Sequence, residues 1–536
     1  MNMKKMSFYF RLILSTIMLA ATVSCVDDLD VEPQDDQNVL ADELFQDIEG
    51  YQALIGAAYA NLALTGPDGP ESSNIANIDA GTSQYGRALM NLQTFSTDEA
   101  VWTYENDPGI GDIQRSIWSS NNVISAGAYA RIRYMISVTN NFLAQSTPDL
   151  ISSRGFNSEE TALINQYAAE ARLLRAMAYY HMTDLFGKAP LLLENDPPIG
   201  YEAPELDRVE LFNFVEGELL DIEEELEEPR GFVGVDYGRA DRAVAWMILS
   251  KLYLNAEVYT GQGRYADALT YINKILNEGG YSLANEYKNL FRGDNDVNEA
   301  NSEIIFAIIS DGITVQNFGP TTVMTNGAVG SLEQNGANLG VTEAGWGGAI
   351  RVSPQFADKM LPSDDRNTLI TDGRSANITN ITDPATGFIL EKYSNLTADG
   401  ESGSDLTFSD VDFPMFRLGD VYLMYAEAVL RDGGGDQATA LDYINQLRIR
   451  ANAPQINSGD LTLDFIIDER ARELYWELHR RQDLIRFSLF TGGVYNWALK
   501  GNSLINGTGI ASFRDLYPIP ANVVQSNDNL TQNEGY

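Results

Sequence analysis

The sequence predicts a mainly α-helical protein, in which a scaffold of helical hairpins carries one large loop-rich lobe. Two observations support this fold class. Apolar residues recur with a helical period over most of residues 41–278 and again after residue 413. Between residues 279 and 412 that period disappears, and Gly, Asn, Thr and Asp dominate. The chain has 536 residues and is 44% apolar, which is enough to form a large buried core.

The first 40 residues predict an export signal and a tether. Basic residues precede an apolar run at residues 12–23. A transmembrane helix needs about 20 apolar residues, so this run is too short to span a bilayer. Small residues then lead to Cys25, the only cysteine of the chain. We therefore expect residues 1–24 to be a signal peptide that is removed, and residues 25–40 to be an acidic tether.

The helical period predicts a series of helices before the lobe. Asp207 is a typical residue for the start of a helix, and Gly279 with Gly280 is a typical helix end. The candidate helical segments are 40–63, 114–145, 159–186, 207–227, 241–260 and 265–278.

Two stretches on either side of the lobe, residues 249–273 and 422–445, share one pattern. In each, aromatic and small residues recur at helical spacing, a glycine-containing turn follows, and a second helical segment contains Ala-Leu-x-Tyr-Ile-Asn. Alanines at the helix crossing with aromatic rings beside them resemble tetratricopeptide repeats, which stack helical hairpins. We therefore expect the scaffold to comprise residues 41–278 and 413–490, and its two parts to meet in space.

The long segment 279–412 predicts an ordered binding lobe. Long connections without regular structure tend to be binding surfaces or disordered linkers. Interspersed aromatic residues, among them Phe318 and Trp346, favour an ordered lobe. Two short runs, residues 304–309 and 387–390, have the character of β-strands.

The composition excludes several classes of function. The chain has 36 Lys and Arg against 76 Asp and Glu, and a formal charge of −40 repels nucleic acids and anionic lipid headgroups. Two histidines, His181 and His479, cannot supply a zinc cage by themselves. Sequence motifs of serine hydrolases, P-loops, dinucleotide-binding folds and HExxH metalloproteases are absent. We predict a binding protein that is not an enzyme. The sequence does not exclude a carboxylate pair for glycoside hydrolysis, because such a pair is defined by its distance in space and not by its spacing in the sequence.

Short motifs spread over nearly the whole chain point to one protein family. They are AEARLLRAMAYY at 169–180, DLFG at 184–187, FPMFR at 413–417, AEA at 426–428, ERAREL at 469–474, RRQDL at 480–484, YPIP at 517–520 and QNEGY at 532–536. Together they resemble the SusD/RagB family of outer-membrane lipoproteins. A second set resembles the starch-binding branch of that family: CVDDLD at 25–30, TDEAVW at 97–102, YGRAD at 237–241, YLNA at 253–256 and LKG at 499–501.

The resemblance implies a single SusD-like domain over residues 41–536 and the role of a surface receptor. Such a receptor is anchored in the outer membrane only by a lipid on Cys25 and faces the cell exterior. It binds starch or malto-oligosaccharides and delivers them to a SusC-like TonB-dependent transporter. Other surface glycan-binding lipoproteins are further expected partners. The alternative is the same receptor role for a different glycan or for peptides.

The resemblance also implies a glycan site. A sugar ring needs flat aromatic walls for its C–H faces and planar polar groups for its hydroxyls. Tyr104 and Phe318 replace the Trp and Tyr of the starch-binding branch, which reduces the stacking area and removes one hydroxyl. For each aromatic residue, burial in the core is the alternative, and Asp107 competes with Asn106 for one contact. The implied residues are Trp102, Tyr104, Trp346 and Phe318 as walls, with Arg87, Asp79 and Asn106 as hydroxyl partners.

The remaining tryptophans and histidines predict structural roles. Trp246 and Trp476 lie at apolar helical positions and are expected in the core. The sequence leaves Trp118 and Trp497 undecided. Both histidines lie in segments rich in Tyr, Leu and Arg, which favours hydrogen-bonded structural positions.

Two acidic stretches, residues 294–296 and 410–412, offer oxygen ligands that suit Ca²⁺. The resemblance implies calcium at Asp296, Asp410 and Asp412, with a structural role away from the sugar. Alternatively, these are turn aspartates that face water, and the sequence leaves both interpretations open. No other cofactor is expected.

Overall fold

A computed structural model of the protein describes residues 44–197, 200–231, 237–341, 345–383 and 385–536. The chain divides by its contacts into two units, Met1–Gly50 and Tyr51–Tyr536. The second unit contains all the residues discussed below as a functional site. The signal peptide, the acidic tether and Cys25 lie outside the described residues, so these predictions are not tested by the structure.

The fold is mainly α-helical, which confirms the predicted fold class. Each of the six helical segments predicted before the lobe contains a helix, with ends that differ by several residues, and further short helices lie between them. In chain order these helices are α1 (Ile48–Ala63), α2 (Tyr85–Gln93), α3 (Ile110–Gln114), α4 (Val123–Gln145), α5 (Pro148–Arg154), α6 (Ser158–Leu185), α7 (Arg208–Ile222), α8 (Arg242–Leu254), α9 (Ala256–Thr260) and α10 (Tyr265–Glu278).

The helices of the lobe and of the second half of the chain have at most 14 residues. The lobe contains two of them, so it is less purely loop-like than predicted. The helices are α11 (Pro320–Ala328), α12 (Pro354–Ala357), α13 (Leu418–Leu430), α14 (Gln437–Arg450), α15 (Leu463–Leu474), α16 (Arg480–Arg486) and α17 (Ala521–Ser526).

Three local predictions were wrong, each for a physical reason. Helix α4 begins at Val123 and not at residue 114, because the Asn122 side chain accepts the hydrogen bonds of Ile124 N and Ser125 N and so caps the helix there. Helix α2 was missed because its nine residues are too few for a helical period to be recognised and all of them are buried, so its polar residues Arg87 and Asn91 face the cavity and not bulk solvent. Helix α11 was missed because its Thr, Val, Asn and Gly residues are poor helix formers, and complete burial overrides that preference.

Short antiparallel strand pairs tie distant parts of the chain together. Strands β1 (Val101–Trp102) and β5 (Ile350–Arg351) pair, and so do β4 (Ile304–Ile308) and β8 (Phe413–Arg417). The β4–β8 pair joins the beginning of the lobe to its end. The other pairs are β2 (Ala189–Pro190) with β3 (Glu205–Leu206) and β6 (Leu369–Ile370) with β7 (Ile389–Leu390). Both predicted β-runs of the lobe therefore contain strands, as β4 and β7.

The two hairpins with the shared pattern meet in space, as expected. Helix α10 of the first hairpin packs against α13 of the second. Lys251 Nζ of α8 lies 3.0 Å from Asp420 Oδ2 of α13, and both side chains are buried. The Arg431 guanidinium lies 5.6 Å from the centre of the Tyr265 ring. The two parts of the scaffold on either side of the lobe are thus in direct contact.

The core contains the residues that were predicted there. Trp246 and Trp476 are buried, and the two undecided tryptophans, Trp118 and Trp497, are buried as well. His181 Nδ1 lies 2.8 Å from the Tyr85 hydroxyl, and burial lowers the pKa of this histidine to about 4. The structural interpretation of the histidines is thereby supported.

A buried ion network holds the lobe on the scaffold. Glu473 of α15 accepts hydrogen bonds from Arg366 of the lobe at 2.8 Å and from Arg417 at the end of β8 at 2.7 Å. Arg450 of α14 donates to the same carboxylate. Because one carboxylate binds arginines from three elements, the network fixes the orientation of the lobe that carries part of the site.

Within the part of the chain that the structure describes, no helix is both long and apolar enough to cross a membrane.

Candidate functional site

A cavity of about 680 Å³ opens between the scaffold and the lobe. Its walls come from α2, the loop after β1, the first turn of α4 and the lobe around α11. It brings together six of the seven predicted glycan-site residues. These are Asp79, Arg87, Trp102, Tyr104, Phe318 and Trp346.

Trp102 is fixed by strand pairing and by two hydrogen bonds. It lies opposite Ile350 in the β1–β5 pair, and its backbone N–H donates to Gln114 Oε1 at 3.0 Å. Its ring Nε1 donates to Asp107 Oδ2 at 2.8 Å. Only 5% of the residue is exposed, so Trp102 both packs in the core and forms part of the cavity wall. Burial in the core and a place in the cavity wall were alternatives in the sequence analysis, and Trp102 fits both.

Three aromatic rings form a concave corner. The Trp102 ring centre lies 5.7 Å from that of Tyr104, with the planes at 79°, and 6.1 Å from that of Trp346, with the planes at 84°. The Tyr104 hydroxyl donates to the Trp346 carbonyl oxygen at 2.9 Å, which joins the two outer walls. Tyr104 is 46% exposed and is therefore accessible to a ligand.

Glycines allow the backbone to present Trp346. The flanking residues Gly345, Gly347 and Gly348 have φ values of 53°, 61° and 71°, which other residue types adopt only with strain. Phe318 needs a glycine too, because a Cβ at Gly81 would lie 2.7 Å from its own Cβ. The glycine-rich sequence around Trp346 thus has a structural cause.

Arg87 supplies a buried cation below the aromatic corner. Its guanidinium carbon lies 5.0 Å from the centre of the Trp102 ring. Burial lowers its pKa to about 10, although Asp79 and Asp107 act in the opposite direction. Its Nε and Nη1 atoms find no hydrogen-bond partner among the described residues. Since buried donors are normally paired, these atoms mark a place for acceptors from a ligand.

Asn91 is a site residue that sequence reasoning missed. It lies one helical turn after Arg87 on α2, lines the cavity and is 1% exposed. Neither its Nδ2 nor its Oδ1 has a hydrogen-bond partner in the part of the chain that the structure describes. The only signal for it was its spacing of four residues from Arg87, which has meaning only once α2 is known to be a helix.

The acidic residues at the rim have different roles. Asp79 is exposed, and its Oδ1 accepts hydrogen bonds from Thr82 N and Thr82 Oγ1, both at 2.9 Å, so it also stabilises the turn before α2. Asp107 lines the cavity, whereas Asn106 is exposed and lies outside the cavity lining. Of the two residues that competed for one contact, Asp107 therefore has the position for it.

The predicted calcium ligands lie in the lobe but do not form a ready coordination site. Asp410 accepts hydrogen bonds from Gly312 N at 2.7 Å and from Ser404 Oγ at 2.6 Å. Burial raises the pKa of Asp412 to about 8, with the charge of Asp296 adding to the shift against the hydrogen bond from Ser310 N. Among the described residues, no three acidic, histidine or cysteine side chains are grouped closely enough to hold a metal ion. The calcium site stays a prediction.

Comparison with known proteins gave concordant results. The family model described as SusD family matches residues 335–536. The chain is 34% identical over 587 aligned positions to the starch-binding protein SusD of Bacteroides thetaiotaomicron, and the alignment covers all of both chains. It is 28% identical to the SusD-like protein P25 of Formosa agariphila, over 69% of this chain and 73% of that one.

Solved structures share the fold. A SusD superfamily protein from Parabacteroides distasonis matches with a TM-score of 0.68 and 20% identity, over 91% of this chain and 99% of the other. Surface glycan-binding protein A from Bacteroides thetaiotaomicron, solved in complex with laminarihexaose, matches with a TM-score of 0.66 and 21% identity, over 90% and 99%. At these identities the similarity establishes the architecture of the chain.

Proposed function

Since the chain belongs to the SusD family, we propose that it is a surface receptor that binds starch and malto-oligosaccharides in the cavity beside Trp102. The observation that carries this proposal is the concave aromatic corner with unpaired polar atoms at its base. Similarity to a starch-binding protein over the whole chain supports the choice of an α-glucan.

The geometry suits an α-1,4-glucan for a physical reason. Such a chain coils, so its sugar rings meet a curved surface better than a flat one. The rings of Tyr104 and Trp346 stand nearly perpendicular to Trp102 and offer walls to neighbouring sugar faces. Arg87 and Asn91 offer donors and an acceptor to the hydroxyls.

Native affinity electrophoresis tests which polysaccharide the protein binds. The soluble chain that begins after Cys25 is run in gels with amylopectin, laminarin, levan or no polysaccharide. We expect retardation by amylopectin alone, because the relative that is similar over the whole chain is a starch-binding protein. If another polymer alone retards the protein, that glycan replaces α-glucan as the proposed ligand. If none does, peptides become the next ligand to test.

The site is tested with matched variants. The double variant Trp102→Ala, Trp346→Ala should no longer be retarded by amylopectin. Tyr201→Ala, which removes an exposed ring outside the cavity lining, should bind as the unchanged protein does. Thermal melts of each variant separate loss of the site from loss of the fold. Full retardation of the double variant would contradict the proposed location.

The receptor acts without catalysis in this proposal. Asp79 and Asp107 line the cavity, but Asp79 accepts hydrogen bonds from Thr82 and Asp107 accepts one from the Trp102 ring. We propose that these carboxylates hold the site in shape and do not form the acid pair on which glycoside hydrolysis depends. Incubation of purified protein with starch should therefore release no reducing sugar above a buffer control. Release that tracks the protein concentration would contradict the non-catalytic role.

Cell-surface anchoring and transfer to a transporter complete the proposed role. A lipid on Cys25 would hold the chain at the outer membrane, where a SusC-like TonB-dependent transporter and other surface glycan-binding lipoproteins are its proposed partners. Cys25→Ala protein should leave the membrane fraction, and a tagged chain should co-purify with such a transporter. Retention of Cys25→Ala protein in the membrane fraction would contradict the lipid anchor.

We retain structural calcium as a proposal for the lobe. Burial and the charge of Asp296 raise the pKa of Asp412, and burial with the charges of Asp294 and Asp410 raises the pKa of Asp296. A divalent cation would relieve this repulsion between carboxylates. No step of glycan binding depends on it. Calcium should raise the melting temperature and EDTA should lower it, whereas the same melting temperature in both would contradict the proposal.

A further inference from the structure

A second groove continues from the glycan cavity along α4. This groove, here called the α4 groove, has a volume of about 600 Å³. Its walls are residues 75–78 on one side and the beginning of α17 on the other, and its floor is one face of α4. The cavity and the α4 groove share Asn77, Ile78 and Val123 as lining residues. The two spaces therefore adjoin along common walls.

The floor of the α4 groove is kept open by small residues. Ala126, Gly127 and Ala130 follow Val123 on the same face of α4, and Ser137 lies at the far end. At 1.5 Å per residue, the distance along the helix from Val123 to Ser137 is about 21 Å. A Cβ at Gly127 would lie 2.3 Å from Ile78 Cδ1, so a larger residue there would push the shared wall outward.

The α4 groove contains the residue types that a sugar chain requires. Tyr134 is half-buried, and its hydroxyl accepts a hydrogen bond from Asn74 Nδ2 at 3.2 Å. The Arg131 guanidinium lies 5.8 Å from the centre of the Tyr134 ring. Asn121 and Asn522 add exposed amides. An aromatic ring with planar amides beside it is the combination that matches the C–H faces and hydroxyls of a sugar.

Arg133 is an available donor in the α4 groove. Its side chain is half-exposed and forms no hydrogen bond or ion pair with any residue that the structure describes. This is unusual in a chain with 76 acidic and 36 basic residues, in which acidic partners are plentiful. A guanidinium fork can donate to two neighbouring hydroxyls of one sugar.

We infer that the α4 groove is a second subsite for the same glycan. An oligosaccharide that is longer than the cavity passes over Ile78 and Val123 and continues along α4 past Arg133 and Tyr134. This inference rests on the proposed function, because the glycan chain is what connects the two spaces. Two linked subsites make binding stronger for a long chain than for a short one, since the second contact is intramolecular.

Calorimetric titration with maltotriose and maltodecaose tests the inference. Maltotriose is short enough for the cavity alone, so the two groove variants Arg133→Ala and Tyr134→Ala should bind it as the unchanged protein does. For maltodecaose each variant should lose affinity by about tenfold, the loss expected for one or two sugar contacts. Equal maltodecaose affinities in the variants and the unchanged protein would overturn the inference.

A variant that fills the groove distinguishes a direct effect on glycan binding from an indirect effect of misfolding. Ala130→Gln adds a side chain to the floor and keeps a good helix former, so the fold should be preserved while maltodecaose binding weakens. Asn141→Ala, at an exposed position of α4 outside the groove, is the control and should bind both sugars unchanged. Normal maltodecaose binding by Ala130→Gln would also overturn the inference.

The outcomes separate this inference from the proposed function. If the unchanged protein binds neither sugar, the proposed function fails and the inference fails with it. If it binds both sugars with equal affinity, the cavity remains a glycan site and the second subsite is excluded. If Trp346→Ala loses binding of both sugars and Arg133→Ala loses binding of maltodecaose only, the proposed function and the inference are both supported.

Discussion

Arg87 and Asn91 illustrate how single residues of the cavity exchange stability for binding. Both are buried, and both have polar atoms without a partner among the described residues. A buried polar group that lacks a partner costs about 1–3 kcal/mol, more when it is charged. A ligand that supplies hydroxyl groups would recover that free energy on binding.

Replacing Arg87 by methionine should therefore have opposite effects on binding and stability. Arg87→Met keeps an apolar stem beside Trp102 but removes the charged donors. We expect the affinity for malto-oligosaccharides to fall about 10- to 100-fold, the value of a hydrogen bond to a charged group. The free energy of unfolding should stay the same or rise by about 1 kcal/mol, because an unpaired buried charge is removed. Calorimetry and urea unfolding measure the two effects.

Arg131→Met is the matched control for that variant. Arg131 is equally buried, but its guanidinium donates to Ser83 O, Asn61 Oδ1 and Thr65 O at 2.6–2.9 Å. Its loss leaves several acceptors unpaired, so the free energy of unfolding should fall by about 3 kcal/mol. Equal destabilisation by both variants would show that Arg87 is satisfied in solution.

At the scale of elements, helix ends follow local sequence closely. Asp207 Oδ1 accepts hydrogen bonds from Val209 N and Glu210 N at 2.9 Å, and Glu210 Oε2 accepts one from Asp207 N at 2.9 Å. This reciprocal cap explains why the beginning of α7 could be read directly from the sequence.

Removing the cap should destabilise the protein measurably. Asp207→Ala leaves the first N–H groups of α7 without their acceptor, so we expect a loss of about 1 kcal/mol in the free energy of unfolding. Asp207→Asn keeps an acceptor and should restore most of that loss. Urea unfolding checks both variants, and equal stabilities for Ala and Asn would contradict the capping role.

The attachment of the lobe depends on one buried carboxylate. Glu473 binds arginines from the lobe, from the end of β8 and from α14, and no part of its side chain is exposed. Glu473→Gln would remove the negative charge that three buried guanidinium groups share. We expect the free energy of unfolding to fall by about 3–5 kcal/mol, as for other broken buried pairs. Urea unfolding followed by tryptophan fluorescence measures the loss.

An exposed ion pair provides the control for the buried network. Glu286 and Lys288 lie 4.0 Å apart, and both side chains are more than 60% exposed. Glu286→Gln should change the free energy of unfolding by no more than about 0.5 kcal/mol. A loss as large as that of Glu473→Gln would mean that the burial of the network is not what makes it stabilising.

At the scale of the whole molecule, the buried carboxylates make stability depend on acid. Burial by itself raises the pKa of Glu427, but the charges of Arg486 and Arg431 outweigh it and lower the pKa to about 2. Asp98, Glu469 and Asp483 shift downward for the same kind of reason. A folded-state pKa below the unfolded value contributes stability that is complete above the unfolded pKa and is lost as the pH falls through the folded pKa.

The free energy of unfolding should therefore fall steeply between pH about 4.5 and pH about 2. Asp412, with its raised pKa, acts in the opposite direction, but its contribution changes mainly above pH 4. Urea unfolding at pH 7, 4.5 and 3 measures the profile. Burial raises the pKa of Glu473, but the charges of Arg450, Arg417 and Arg366 outweigh it and lower this pKa too. Glu473→Gln should therefore lose less between pH 4.5 and pH 3 than the unchanged protein. The same loss in both would contradict the assignment of the acid sensitivity to the ion network.

The sequence by itself determined the fold class and the paired hairpins, whereas the candidate site residues came from family resemblance. Amphipathic periods such as that of α10 are local properties of the chain, and so is the cap at Asp207, so both can be recognised without coordinates. The glycines beside Trp346 mark a backbone that only glycine adopts readily, which is a local property of the chain. Family resemblance implied Trp346 itself and the other candidate residues, such as Arg87 and Phe318, which no local spacing connected.

Only the tertiary structure decided the elements and residues that depend on distant contacts. Helices α2 and α11 have nine residues each, all of them buried, so neither gives the long run with a solvent-facing side from which a helix is recognised. Asn91 became a site residue because α2 places it beside Arg87, and Asp107 was favoured over Asn106 by its bond to the Trp102 ring. The α4 groove needs residues 75–78, α4 and α17 together. Such sites form between segments that are far apart in the chain, where no local spacing records the contact.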